Sequence, residues 1–361
     1  MNRPRLRTIG FGLGLGAVLF AASAIGVSRG RSADVSSAAD VVRGTPGAIA
    51  AATNPSAHTL DQTIAGLQQR LAATPDDDVA WATLALAYVQ QAKVTVDPTY
   101  YPKADGAIAR AEQIDGSGRY LADLARSALA SARHDFAGAV TAARAGLAVN
   151  SYNPLLYGAL SDAQIQLGQY DDGFTSIDTM VSLRPDAAAL TRASYAAELR
   201  GDVTGATDLM ERARSKAPTG ADQAFALYYL GELAFNAGDP NTALQRYNEA
   251  LAASPQDPAA LGGKAKAEAA LGQTQTALDH YDELVQRYPE PTYVLEYGEL
   301  LQSLGRPQDA QRQFTVFVAT QRLFEANGVE PDAAATLFDA VHGDPAQALT
   351  DAARASPPAR S

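Results

Sequence analysis

The sequence predicts an all-α protein built from a repeated pair of helices. From Leu60 onward, apolar residues recur every three or four positions with no strand-like alternation, which is the period of amphipathic helices. Glycines that end one helix recur at intervals of 33 to 38 residues, and a proline ends the following helix. The glycines are Gly168, Gly201, Gly238, Gly272, Gly305 and Gly343, and the prolines are Pro185, Pro218, Pro255 and Pro289. A period of this length indicates one solenoid of stacked units rather than several domains.

Two further regularities support this interpretation. His134 stands one 34-residue interval before Gly168, at the place of a turn glycine. A small residue recurs in the second helix of each unit, where it faces the first helix: Ala139, Gly173, Ala206, Ala243, Ala277, Ala310 and Ala348. Because a two-helix unit cannot bury its apolar faces alone, we expect about eight stacked units in residues 58–355, curling into a superhelix.

Several units resemble the tetratricopeptide repeat (TPR). The stretches Trp81-x-x-Leu-Ala-x-x-Tyr88 and Leu227-x-x-Leu-Gly-x-x-Ala234 are similar to its first helix. Gly272, Ala277, Tyr281 and Pro289 are similar to positions of its second helix. The resemblance covers roughly residues 75–355 and implies a right-handed superhelix that binds proteins or peptides. The opening, residues 60–78, also resembles that of bacterial periplasmic TPR proteins, including those of cytochrome c maturation.

Residues 1–31 have the composition of an export signal. They contain five basic residues and no acidic one, and Ile9 to Val27 is an uncharged run of 19 residues. This length favours a transmembrane signal-anchor helix, whereas the small residues Ala22-Ser23-Ala24 fit a cleaved signal peptide. Arginines before the run favour a cytoplasmic N-terminus. Both alternatives predict an exported body, held at the cell membrane by this apolar helix or secreted if the leader is cleaved.

The remaining composition predicts two unstructured segments and limits the classes of partner. Residues 32–57 are Ser, Ala, Gly, Thr and Pro with few large apolar side chains, and we expect a flexible linker there and a disordered tail at 356–361. Residues 32–361 contain 24 basic and 40 acidic residues, a net charge of −16. Such a body repels phosphate, so nucleic acid is not an expected partner.

The concave wall of the superhelix is the predicted binding surface. By helical geometry, the stripe beside the packed face of each first helix lines this wall, and it contains Tyr195, Glu198, Tyr228, Glu232, Asn236, Lys266 and Glu299. Two tyrosines among carboxylates suit a neutral or basic polypeptide segment, extended or helical, with the aromatic rings as anchors. The alternative is that the carboxylates only solvate a helix face.

A second candidate contact is an insertion between the helices of the first unit. It runs from Lys93 to Lys103 and contains Tyr100 and Tyr101 beside two prolines, which predicts a stiff exposed loop. Packing of both tyrosines onto the helix that contains Trp81 is the alternative.

Catalytic and metal chemistry is not expected. The chain has no cysteine, which excludes disulfides, thiolate metal sites and thiol catalysis. His-Glu-x-x-His, the P-loop and Gly-x-Ser-x-Gly are all absent. The four histidines fall in different units, so we expect no metal site, cofactor or catalytic residue. The sequence thus predicts a protein-interaction scaffold or chaperone-like adaptor of the cell envelope. The alternatives are an enzyme or small-ligand protein with an unrecognised pocket, and self-assembly through the last helix, which contains Leu349.

Overall fold

A computed structural model describes residues 57–114, 116 and 118–355, and these residues form 17 α-helices, one 3-10 turn and no strand. The predicted apolar helix at Ile9 to Val27, most of the linker and the tail at 356–361 lie outside the described residues. In the described part of the chain, no helix combines the length and the apolar character that crossing a bilayer requires.

The helices form eight consecutive pairs behind one leading helix, α1 (Ala57–Ala73). The 3-10 turn Pro98–Tyr100 connects the first pair. The pairs are α2 (Asp78–Thr95) with α3 (Tyr101–Gln113), α4 (Arg119–Ala132) with α5 (Phe136–Val149), α6 (Pro154–Gln166) with α7 (Tyr170–Leu183), α8 (Ala187–Leu199) with α9 (Val203–Ser215), α10 (Gly220–Asn236) with α11 (Pro240–Ala253), α12 (Pro258–Ala270) with α13 (Thr274–Arg287), α14 (Pro291–Ser303) with α15 (Pro307–Glu325), and α16 (Ala333–His342) with α17 (Pro345–Ala355). The predicted all-α solenoid of about eight units is confirmed.

The turn between paired helices explains the periodic glycines. Gly168, Gly201, Gly238, Gly272 and Gly305 have φ between 70° and 84°, a left-handed conformation that glycine adopts without steric cost. His134 takes the same place with φ 64°, as its spacing predicted. Gly343 differs: it ends α16 with φ −117°, so the last pair turns by another geometry.

Aspartates that follow these turns start the second helices. The side chains of Asp135, Asp202 and Asp239 accept hydrogen bonds from backbone N–H groups of α5, α9 and α11, at 2.8 to 3.0 Å. Each carboxylate therefore satisfies an N–H group that has no partner within its own helix. The predicted small residues of the second helices, such as Ala206, Ala243 and Ala277, are fully buried between the helices.

The superhelix closes on itself through a contact that we call the clasp, formed by Arg133 and His134 with residues 327–330. The Glu330 N–H donates to the Arg133 carbonyl (2.9 Å), and Arg133 Nε donates to the Asn327 carbonyl (3.2 Å). His134 Nδ1 lies 2.7 Å from the Glu330 carbonyl. Val329 is 7% exposed and packs into the core of the first units. The turn of the second pair is thereby joined to the loop that follows the seventh.

A second contact closes the superhelix further. The Tyr288 hydroxyl, after α13, donates to the Lys93 carbonyl of α2 at 2.5 Å. The two residues are 195 positions apart. Units that are distant in sequence are therefore in contact, because the rotation between units brings the first pairs back against the later ones.

Candidate functional site

The first helices of consecutive pairs form the inner wall. One row of side chains stands six residues before each turn glycine: Asp162, Tyr195, Glu232, Lys266 and Glu299. A second row stands one helical turn earlier and includes Arg192, Tyr229 and Glu296. Side chains of the two rows meet between neighbouring pairs, as the contacts below show. The sequence analysis found the first row and missed the second.

Asp162 and Arg192 form a buried ion pair, the inner pair. Arg192 Nε donates to Oδ1 (2.9 Å) and Nη2 to Oδ2 (2.7 Å) of Asp162, and the two side chains are only 3% and 4% exposed. Burial raises the pKa of Asp162, and the Arg192 guanidinium opposes that rise. Lys93 from α2 joins them: burial lowers its pKa to about 8, although the charge of Asp162 acts in the opposite direction. The charged side chains of Asp162, Arg192 and Lys93, from three different helices, therefore interact with one another inside the protein.

Three further carboxylates, Glu198, Glu232 and Glu296, form what we call the carboxylate cluster. Lys266 Nζ donates to both oxygens of Glu232 at 2.8 Å, and the side chains of this pair are 27% and 13% exposed. The same ammonium lies 4.7 Å from the centre of the Phe235 ring. Here a cation is held by a carboxylate and an aromatic face together.

The other two carboxylates of the cluster have neutral partners. Asn236 Nδ2 donates to Glu198 (3.1 Å), and the Tyr281 hydroxyl donates to Glu296 (3.1 Å). Burial raises the pKa of both carboxyls, and the negative charge of Glu232 adds to the rise. The hydrogen bond from Asn236 opposes it at Glu198, and the Lys266 ammonium opposes it at Glu296. The wall therefore contains more carboxylates than cations at this point.

Tyr247 of α11 positions Glu232 from behind the wall. Its ring is fully buried between α10 and α12, and its hydroxyl donates to Glu232 at 2.5 Å. Gly231 and Gly263 make room for the ring: a Cβ atom on either would lie 2.4 or 2.5 Å from it. The sequence analysis took Gly231 as a repeat position but gave no sign that a core tyrosine reaches the wall.

The two tyrosines that were predicted as anchors are half-buried. Tyr195 packs beside Ile165, and burial raises its pKa to about 12. Tyr228 lies in an aromatic group, with its ring centre 5.1 Å from that of Tyr229 and 5.9 Å from that of Tyr247. Both residues keep a minor part of their surface exposed. Their role as anchors stays a prediction.

The remaining predicted residues lie elsewhere. Glu299 accepts from His342 Nε2 of α16 at 2.8 Å and thus contacts the last pair. Tyr101 is a correction: it is the first residue of α3 and is 3% exposed, so it offers no surface to a partner. Tyr100 is half-buried with its ring centre 6.0 Å from that of Tyr88. The insertion is mostly helical, because α2 continues to Thr95 and the 3-10 turn follows.

Outside the inner wall, the described residues also form a depression on the surface. An open depression of about 540 Å³ on α11 is lined by Asn241, Leu244, Gln245, Asn248, Glu249 and Ala252. Within the described residues, no three His, Asp or Glu side chains are placed to hold a metal ion. The inner wall is therefore the place where polar and aromatic side chains from many helices converge.

Comparison with known proteins agrees with this geometry. The family model of the tetratricopeptide repeat matches residues 228–290, which include α11, α12 and α13 and, of the carboxylate cluster, Glu232. The fold of the described helices is that of a tetratricopeptide-repeat (TPR) solenoid. No curated protein matches its sequence.

Solved TPR structures share the fold. The crystal structure of yeast Tom70 superposes with a TM-score of 0.55 at 14% identity, covering 93% of this chain and 71% of that chain. The APC/C hetero-tetramer Cut9-Hcn1 gives 0.55 at 11% identity, covering 74% and 52%. This TPR chain thus spans about half the length of the latter. Similarity at these identities establishes the fold alone.

Proposed function

We propose that this TPR protein is a polypeptide-binding scaffold or chaperone-like adaptor of the cell envelope. The observation that carries the proposal is the inner wall, where the partly buried side chains of Tyr195 and Tyr228 stand beside the carboxylate cluster. Aromatic side chains next to charged groups are the usual anchors of protein interfaces. A TPR solenoid also presents a continuous wall along which successive residues of a segment can bind.

The contacts between distant units limit the kind of partner that can reach the inner wall. Because the clasp joins Arg133 and His134 to the loop at Asn327–Glu330, the interior is surrounded by helices. An extended segment or a single helix suits such a space, whereas a folded domain does not. We therefore expect the partner to contribute a terminus, a linker or an unfolded stretch.

The proposed location rests on residues 1–31. Their arginines and the uncharged run from Ile9 to Val27 fit a leader that exports the TPR body, either as a membrane anchor or as a cleaved signal. Protease added to intact spheroplasts should digest the body while leaving a cytoplasmic control protein intact. Protection of the body until the membrane is lysed would contradict export.

Crosslinking in cells tests the binding role. We would compare the wild type with a variant that combines Tyr195→Ala, Tyr228→Ala and Glu232→Lys, using mass spectrometry to identify crosslinked proteins. Loss of a small set of envelope proteins from the variant alone would support the proposal. Unchanged crosslinks would contradict the wall as the binding surface.

Self-association is a second candidate, favoured by the last helix pair. Val341 is 71% exposed and Leu349 is 73% exposed, which is unusual for large apolar side chains. Light scattering on the purified full chain, with Leu349→Asp as the comparison, should show an oligomer that the substitution dissociates. A monomer at high concentration in both samples would exclude this candidate.

A further inference from the structure

The carboxylate cluster has more carboxylates than cations among the residues that the structure describes. Glu198 and Glu296 accept hydrogen bonds from an amide and a phenol, and neither forms an ion pair with any residue that the structure describes. Lys266 pairs with Glu232, which leaves one cation for three carboxylates. Since like charges in a partly buried space repel each other, this arrangement favours the entry of a further cation.

A second observation at the same place is independent of charge. The side chain of Tyr229 is buried, with the residue 5% exposed, and its hydroxyl has no hydrogen-bond partner among the described residues. The charges of Glu232 and Glu198 are close enough to act on this phenol. A buried hydroxyl without a partner is unfavourable, and a bound polar group that reached it would remove that cost.

Lys266 shows which chemistry the wall accepts. Its ammonium is held at 2.8 Å by both oxygens of Glu232 and faces the ring of Phe235. An organic cation entering beside it meets the same two kinds of group, since carboxylates and partly exposed tyrosine rings adjoin Glu232. A metal ion is a poorer fit, because no group of three His, Asp or Glu side chains among the described residues is placed to hold one, whereas an organic cation can pair with a single carboxylate.

We infer that one lysine or arginine side chain of the bound polypeptide enters the carboxylate cluster beside Glu198 and Glu232, where the Tyr229 hydroxyl lacks a partner, and that Glu296 adds negative charge to this subsite. This inference rests on the proposed function and specifies the class of segment that binds: one with a basic residue among neutral ones. Lys93 lies beside the inner pair and repels a guest cation there, so the subsite is confined to the part of the wall formed by α8, α10 and α14.

Selection from a peptide pool tests the subsite. The full chain, purified in mild detergent, is offered a phage-displayed pool of random 12-residue peptides, and the recovered sequences are counted. We expect enrichment of Lys or Arg at one position with the wild type. A variant with Glu198→Gln and Glu296→Gln should lose that enrichment. The matched control carries Glu249→Gln and Glu283→Gln, which remove the same charge from two outer ion pairs, and should keep it.

Affinity measurements on one selected peptide give the magnitude. Because a hydrogen bond to a charged group contributes about 1.5–3 kcal/mol, the Glu198→Gln and Glu296→Gln variant should bind the basic peptide at least about tenfold more weakly. It should bind the same peptide with citrulline or acetyl-lysine at the basic position as well as the wild type does. Equal affinities of the wild type for both peptides would overturn the subsite.

The outcomes separate the two proposals. Peptides recovered without a basic preference would overturn the subsite and leave the polypeptide-binding function standing. Recovery of no peptide by the wild type would contradict both. A variant that binds more tightly distinguishes loss of the subsite from misfolding. Lys266→Met removes the cation that pairs with Glu232. We expect the affinity for the basic peptide to rise about tenfold, which corresponds to about 1.4 kcal/mol. An unchanged or weaker affinity would overturn the inference.

Discussion

The inner wall contains two ion pairs that differ in how far they are buried. The side chains of Arg192 and Asp162 are 3% and 4% exposed, whereas those of Lys266 and Glu232 are 27% and 13% exposed. Both pairs connect first helices of neighbouring units, through residues 30 and 34 positions apart. The difference lies in the surroundings, since Lys93 covers the first pair and unneutralised carboxylates adjoin the second.

This difference assigns the two pairs to different tasks. A fully buried pair has lost its hydration and is kept only by good geometry, so removing one partner leaves an uncompensated charge inside the protein. The charged groups of a partly exposed pair keep some of their hydration, so one partner can be exchanged for another. We therefore interpret the inner pair as part of the framework that joins three units, and the carboxylate cluster as the surface that a polypeptide contacts.

The largest expected effect comes from breaking the inner pair. Arg192→Met leaves Asp162 buried without its bidentate partner, and we expect the free energy of unfolding to fall by about 3–5 kcal/mol. Urea denaturation followed by circular dichroism measures the change. Arg212→Met, in an exposed pair with 4.0 Å between its charged atoms, is the matched control and should change it by less than about 1 kcal/mol. Equal effects would remove the distinction between the pairs.

A smaller effect is expected from Gly263→Ala. The added methyl group would lie 2.5 Å from the Tyr247 ring and must displace it, which costs about 1–3 kcal/mol. Displacement of this ring also disturbs the hydroxyl that holds Glu232. Gly106→Ala, on an exposed helix position with open space around it, should instead stabilise the protein by about 0.4–1 kcal/mol. Thermal unfolding of both variants checks the prediction, and destabilisation by Gly106→Ala alone would contradict it.

The pH dependence of stability tests a carboxylate of intermediate burial. Burial raises the pKa of Glu290, which caps α14, from its ordinary 4.5 to about 7. Between these values the folded state binds more protons than the unfolded state, so the free energy of unfolding falls as the pH rises from 4.5 to 7. Glu290→Gln keeps the hydrogen-bond acceptor and should flatten this part of the profile. A profile identical to that of the wild type would contradict the burial argument.

The smallest change in stability is expected for Lys266→Met. Because the Glu232 side chain stays partly hydrated and keeps the hydrogen bond from Tyr247, we expect the free energy of unfolding to fall by less than about 1 kcal/mol. Urea denaturation under the conditions used for Arg192→Met gives a direct comparison. A loss as large as that of Arg192→Met would mean that the cluster is structural.

The sequence predicted the repeating parts of the molecule well. Spacing alone placed His134 in the left-handed turn position and the small residues of the second helices in the core. It also placed Glu232 and Lys266 on one wall, because residues 34 positions apart occupy equivalent places in neighbouring units. These features depend only on the period and on helical geometry.

The parts that sequence reasoning missed depend on how the units accumulate rotation. The clasp between Arg133 and residues 327–330 and the bond from Tyr288 to Lys93 appear only after many units have been stacked. A small change in the angle between units would separate them, and no local pattern encodes that angle. The second row, Arg192, Tyr229 and Glu296, could have been found from the sequence. Each of its residues stands three positions before a residue of the first row.

Site-specific photocrosslinking tests the central claim most directly. The photoreactive residue p-benzoylphenylalanine would replace Tyr228 on the inner wall in one strain and Tyr152, which is 79% exposed in the turn between α5 and α6, in another. Illumination of living cells should give discrete protein adducts from position 228 and not from position 152. Adducts from position 152 alone, in protein that is equally stable, would contradict a polypeptide-binding role for the inner wall.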